Sequence, residues 1–233
     1  MRMARRLGRY GGLLVLLQLA ACKEAPPPVE PQGNSVEAPA APQAEATHLV
    51  LAFGDSLYAG YGLNQGQGFP AVLQRDLIAQ GLSVEVVNAG VSGDTTAAGL
   101  ARLDFTLDGL RRKPDLAIVG LGGNDVLRGL DPAETRKNLD AILTALDKRG
   151  IPVVLTGMMA PRNYGADYVA QFDRIYPDLA RRYDAPLDPF FLDGVIGRRD
   201  LMLEDGIHPN AEGVEIVAKR LAPMVAKALK PAA

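Results

Sequence analysis

Short apolar runs and amphipathic helical segments alternate along residues 49–229, and this alternation limits the fold more than any other feature of the chain. Residues 49–53 (LVLAF) and 116–121 (LAIVGL) are apolar throughout, the pattern of strands covered on both faces. Residues 83–88 (SVEVVN), 152–157 (PVVLTG) and 186–189 (PLDP) supply three further strands. Helices are expected between them. One runs from Phe69 or Pro70 to about Gln80 and ends at Gly81. A second spans residues 95–110, with Leu100, Leu103, Leu107 and Leu110 at helical spacing. A third runs to Arg149 behind an Asp131 cap, Pro132 and Glu134. Residues 168–183 form a fourth, disturbed at Pro177, and Asn210 to Leu229 the last, kinked or divided at Pro223. Right-handed crossovers then leave a three-layer α/β/α sandwich around a five-stranded, mainly parallel sheet.

The N-terminal region has a different composition. Arg2, Arg5, Arg6 and Arg9 precede an apolar run from Leu13 to Leu19 and the small residues Ala20 and Ala21, so residues 1–21 read as a secretory signal peptide. Leu19-Ala20-Ala21-Cys22 resembles a bacterial lipobox, which implies lipidation of Cys22, the one cysteine, and excludes an intrachain disulfide. Residues 22–46 are rich in Pro, Ala, Glu and Gln and bury almost nothing, as expected of a disordered tether. The folded domain is expected over residues 47–233. The whole chain of 233 residues carries a net charge of −2, and loss of the leader arginines makes the remainder more acidic. A phosphate-tracking surface is thereby excluded, so no nucleic-acid partner is expected.

In parallel α/β sheets, ligands bind beyond the carboxyl ends of the strands, which makes the residues just after each strand the informative ones. They are Gly54-Asp55-Ser56-Leu57, residues 88–95 (NAGVSGDT), Gly122-Gly123-Asn124-Asp125 and, before the last helix, Asp205-Gly206-Ile207-His208-Pro209. A serine hydroxyl needs a base, normally a histidine oriented by a carboxylate. Of the two histidines, His48 lies at the far end of the first strand, which leaves His208, beside Asp205, to serve Ser56. The oxyanion needs donors, and the Ser56 N–H, a glycine N–H from Gly90 or Gly93, and the Asn124 amide are candidates.

These four stretches, in this order, resemble the conserved blocks of the SGNH, or GDSL, hydrolase superfamily. The likeness extends from about Leu49 to Leu221 and is nearest to the multifunctional acyl-CoA thioesterase and lysophospholipase group and to bacterial arylesterases. SGDT, GGNDVLRG (residues 122–129), RNYG (162–165) and EDGIHPN (204–210) carry it. The resemblance implies a flavodoxin-like fold and a catalytic triad of Ser56, His208 and Asp205. It also implies an oxyanion hole of Ser56, Gly93 and Asn124, with Gly90 left as a turn residue and Asp125 as a support for its loop. The implied activity is hydrolysis of short to medium carboxylic esters or thioesters through an acyl-enzyme, without a cofactor.

No G-x-S-x-G is present, and no phosphate-binding glycine motif follows a strand. One usable histidine and no cysteine in the domain leave too few ligands for a metal. Leu127, Met158, Met159, Phe69, Tyr58 and Tyr164 are candidates to line an acyl pocket. Two other functions fit the same sequence: a carbohydrate or peptidoglycan O-acetyl esterase, and a non-catalytic envelope binding module. The expected partners are a small ester or thioester and, through Cys22, a membrane at the periplasmic face of a bacterial envelope; the domain itself is expected to be a monomer.

Overall fold

The computed structural model describes residues 46–229; the signal-peptide, tether and Cys22 expectations lie outside the described residues. The chain order is β1 (His48–Gly54), α1 (Ser56–Ala59), α2 (Phe69–Ala79), β2 (Val84–Gly90), α3 (Thr96–Asp108), β3 (Leu116–Gly120) and α4 (Gly123–Leu127). It continues with α5 (Pro132–Lys148), β4 (Val153–Thr156), α6 (Ala166–Asp173), α7 (Ile175–Arg182), β5 (Leu187–Asp188) and α8 (Ala211–Leu229). The five strands lie in the order β2-β1-β3-β4-β5, and every pairing is parallel.

Side-chain alternation along the strands divides the core into two layers. Val50, Ala52, Leu116, Ile118 and Val154 face α2 and α8, where they meet Phe69, Leu73, Val217 and Leu221. Leu51, Phe53, Ala117, Val119 and Leu155 face the other way, toward Leu103, Leu139, Ile142 and Phe172. β1 and β3 are buried on both faces, which is why their sequences are apolar without alternation. Helix α8 keeps Val214, Val217, Leu221, Val225 and Leu229 buried along one stripe. Each such side chain stabilises the fold by about 1.5–3 kcal/mol relative to exposure.

Two prolines behave differently. The expected helix over 168–183 starts earlier, at Ala166, and is two helices. α6 stops at Asp173, the residue whose carbonyl the Pro177 ring would strike in a continuous helix. Pro223, in contrast, neither divides nor ends α8, so of the expected kink or division the division does not occur. It sits on the exposed side, so the carbonyl it leaves without a donor faces water, while buried Leu221 and Val225 hold the helix to the sheet on either side of it. Two short helices, α1 and α4, were not legible in sequence; both begin inside motif stretches that read as loops.

Candidate active site

The parallel sheet brings the ends of β1, β2 and β3 side by side, with Gly54 opposite both Gly90 and Gly120. Ser56 is the first residue of α1, two residues beyond Gly54, and Asp55 between them caps that helix by accepting the Leu57 N–H at 3.1 Å. The fourth stretch arrives from the other end of the chain. An antiparallel bridge between Met202 and Pro209, with the Leu203 N–H donating to the His208 carbonyl at 2.8 Å, closes the loop that carries Asp205 and His208.

His208 Nε2 lies 2.8 Å from Ser56 Oγ, and its Nδ1 lies 2.6 Å from Asp205 Oδ2. The other Asp205 oxygen accepts the backbone N–H groups of Ile207, at 2.9 Å, and His208, at 3.0 Å. Partial desolvation pushes the Asp205 carboxyl up, but these N–H bonds and the imidazole outweigh it and hold it at about 2. Asp205 is therefore an ionised acceptor at neutral pH. Its partner Nδ1 must carry the proton, which leaves the Nε2 lone pair facing the Ser56 hydroxyl. The arrangement can take a proton from Ser56 as that oxygen attacks, and hold the imidazolium that results. The Tyr61 ring, half-exposed, lies over the imidazole with centroids 4.4 Å apart and limits its rotation.

The candidate oxyanion donors are distributed differently. Asn124, in the first turn of α4, shares the cavity wall with Ser56 and His208, and its Nδ2 donates to Asp55 Oδ2 at 3.3 Å. Gly93 follows β2 and does not line the cavity; its φ of 87° suits glycine, and Arg128 Nη2 holds its carbonyl at 2.8 Å. Neither the Ser56 nor the Gly93 N–H has an acceptor among the described residues. Gly90 is not a turn residue: it ends β2, where a Cβ would meet the Ala59 backbone nitrogen at 2.2 Å.

Two side chains brace these loops: Arg102, which sequence reasoning missed, and Asp125, which was expected to support its own. Arg102, on α3, lies over the Phe53 ring at 4.2 Å and donates to the Gly54 carbonyl at 3.0 Å and to Asp94 at 2.6 Å. It thus ties the Ser56 loop to the Gly93 loop. Asp125 is buried and accepts from Thr96 N at 2.8 Å, from Thr96 Oγ1 and from Thr135 Oγ1. Asp125→Ala would orphan these donors and should destabilise the domain by about 3 kcal/mol in urea unfolding, while loosening the turn that carries Asn124.

The site opens into a cavity of about 260 Å³, walled by Leu127, Met158, Met159, Phe190, Ile196 and Ile207 among others. Leu127, Met158 and Met159 were expected there. Tyr58 and Phe69 were also expected but are buried with Phe191 in an aromatic cluster, with Tyr58 Oη and Thr156 Oγ1 2.8 Å apart. Tyr164 packs against Tyr168, with ring centroids 5.0 Å apart, and does not line the cavity. Phe190 and Ile196 were missed because they follow the two-residue β5, where sequence periodicity carries almost no signal.

Burial, opposed chiefly by the Leu57 N–H, pushes the Asp55 carboxyl up to about 6. Because an unfolded aspartate releases its proton nearer 3.8, this group's contribution to stability falls as pH rises from about 4 to about 6. The stability of Asp55→Asn relative to the parent should accordingly rise by up to about 3 kcal/mol over that window in urea titrations. Asp205 acts in the opposite sense, its contribution being lost only as pH falls from about 4 toward 2.

The chain is similar to known proteins along most of the described residues. Residues 52–216 match the model of the GDSL-like lipase/acylhydrolase family. The chain is 44% identical over 167 residues to Esterase TesA of Pseudomonas aeruginosa, covering 72% of this chain and 82% of that protein. It is 39% identical over 187 residues to thioesterase 1/protease 1/lysophospholipase L1 of Escherichia coli K12, covering 78% and 88% respectively. The crystal structure of AlinE4, described as an SGNH-hydrolase family esterase, superposes with a TM-score of 0.67 at 56% identity, over 78% of this chain and 97% of that one. With the motif order, the all-parallel sheet and these likenesses in agreement, the chain belongs to the GDSL-like lipase/acylhydrolase family.

Proposed function

We propose that this protein is a serine ester hydrolase acting on carboxylic esters or thioesters of short to medium acyl or aryl groups. The observation that carries the reading is the hydrogen-bonded line from Ser56 Oγ through His208 to Asp205 at the mouth of an apolar cavity. In this reading Ser56 Oγ bonds to the acyl carbon while its proton passes to His208 Nε2. The Ser56 and Gly93 N–H groups and the Asn124 amide receive the oxyanion. Collapse breaks the bond to the alcohol or thiol, which leaves with the proton from His208. Water, deprotonated by His208, then attacks the acyl-enzyme and restores Ser56.

The apolar wall favours acyl and aryl groups over sugars, which counts for this reading against the O-acetyl esterase one. A chain-length series of p-nitrophenyl esters and acyl-CoAs, run on protein lacking residues 1–46, tests it. Turnover that rises from acetyl to butyrate or longer acyl groups supports the reading, whereas preference for acetylated sugars would replace it. A fluorophosphonate should label Ser56; an unlabelled protein would point to a non-catalytic binding module. We further propose export and lipid anchoring through Cys22, on the lipobox-like LAAC of residues 19–22. Acyl mass on Cys22, with membrane retention in high salt, is the expected finding.

A further inference from the structure

We propose that Asp55 is a positioning residue for the oxyanion site: its carboxylate holds the Asn124 amide in the one orientation that offers an N–H to the developing oxyanion. The proposal rests on the reading of Ser56 as the nucleophile. Asp55 is only 3% exposed, and each of its oxygens has one partner. Oδ1 accepts the Leu57 N–H at 3.1 Å, and Oδ2 accepts Asn124 Nδ2 at 3.3 Å.

A carboxamide can present either its oxygen or its nitrogen to a given side, and next to an oxyanion the oxygen would repel. An ionised carboxylate only accepts, so it draws Nδ2 toward itself. The second hydrogen on that nitrogen is then left for the cavity that Asn124 lines together with Ser56 and His208. The charged and titratable groups that face Asp55 are His208 across the site, Asp125 on α4, and the buried phenols of Tyr58 and Tyr176. Burial raises the Asp55 carboxyl to about 6, so the selector is ionised at pH 8 and protonated at pH 5. A protonated Asp55 can donate to the amide oxygen, which releases the constraint.

Two measurements test this. The first leaves Asp55 intact: the ratio of kcat for the parent to kcat for Asn124→Ala, on p-nitrophenyl butyrate. It should be about 10² to 10³ at pH 8 and fall about tenfold by pH 5, because the Asn124 contribution fades as Asp55 gains its proton. Ionisation of groups common to both proteins cancels in the ratio. The second is a double-mutant cycle with Asp55→Asn. The new side chain keeps an oxygen for the Leu57 cap but turns an NH₂ toward Asn124, which forces the amide over. Asp55→Asn should therefore lower kcat at least tenfold with KM nearly unchanged, and Asn124→Ala in that background should cost less than tenfold. Thermal unfolding establishes that the variants are folded. A pH-independent ratio, or a cycle in which Asn124→Ala costs the same with and without Asp55, overturns the proposal. Failure of the underlying reading looks different: Ser56→Ala would then hydrolyse the ester as well as the parent does.

Discussion

Ser56→Ala should leave almost no ester hydrolysis, a fall on the order of 10⁶ in kcat, equivalent to about 8 kcal/mol of transition-state stabilisation. The reason lies in how completely the surroundings are arranged for this one oxygen. His208 Nε2 is 2.8 Å from Oγ, with its lone pair made available because Nδ1 is committed to Asp205. No second hydroxyl or thiol among the residues lining the cavity can replace the nucleophile. Removing Oγ deletes both the bond that forms the acyl-enzyme and the acceptor–donor pair that moves the proton. The fold should be unaffected, since Asp55 and not Ser56 supplies the helix cap. Release of p-nitrophenol by the variant, checked beside its thermal unfolding, decides the matter. Activity within tenfold of the parent would remove Ser56 from the mechanism.

Asp205→Asn should cost about 10⁴ in kcat. The carboxylate performs two tasks with separate oxygens: Oδ1 holds the Ile207 and His208 N–H groups of the turn, and Oδ2 accepts Nδ1–H. An asparagine keeps an oxygen for the turn, so the loop between Met202 and Pro209 should survive. Its NH₂ then faces Nδ1 and favours the tautomer in which Nε2 carries the proton. His208 would meet Ser56 as a donor when a base is required. The effect should fall on kcat with KM little changed, and Asp205→Glu should recover part of it only if the longer carboxylate still reaches Nδ1. A loss confined to KM would mean that Asp205 shapes the cavity and does not orient the base.

The fold was largely legible because its signals are local. Apolar runs long enough to be strands alternate with helical stretches that end at Gly81, before Lys113-Pro114 and at Gly150, and the unbroken apolar runs of β1 and β3 must bury both faces. Pro223 shows the limit of that logic. A helix-breaking residue was outweighed by the buried stripe on both sides of it, a packing effect that no local propensity contains. The candidate site was legible for another reason: its chemistry needs particular atoms, and only a few residues can supply them. Tyr58 failed as a cavity residue because it sits on a helical turn, α1, whose presence sequence periodicity did not reveal, and Phe69, at the start of α2, packs edge-on against it in the core.

By itself the sequence determined the layered architecture and the residue types available for chemistry, since hydrophobic periodicity and functional groups are properties of short segments. The tertiary structure decided which groups meet. It brought His208 to Ser56 across a separation of 152 residues, laid Tyr61 against the imidazole, and turned the second oxygen of Asp55 toward Asn124. Those distances follow from parallel strand register and from the closure of the loop before α8. Both are set by burial of the whole core, so no segment carries them alone.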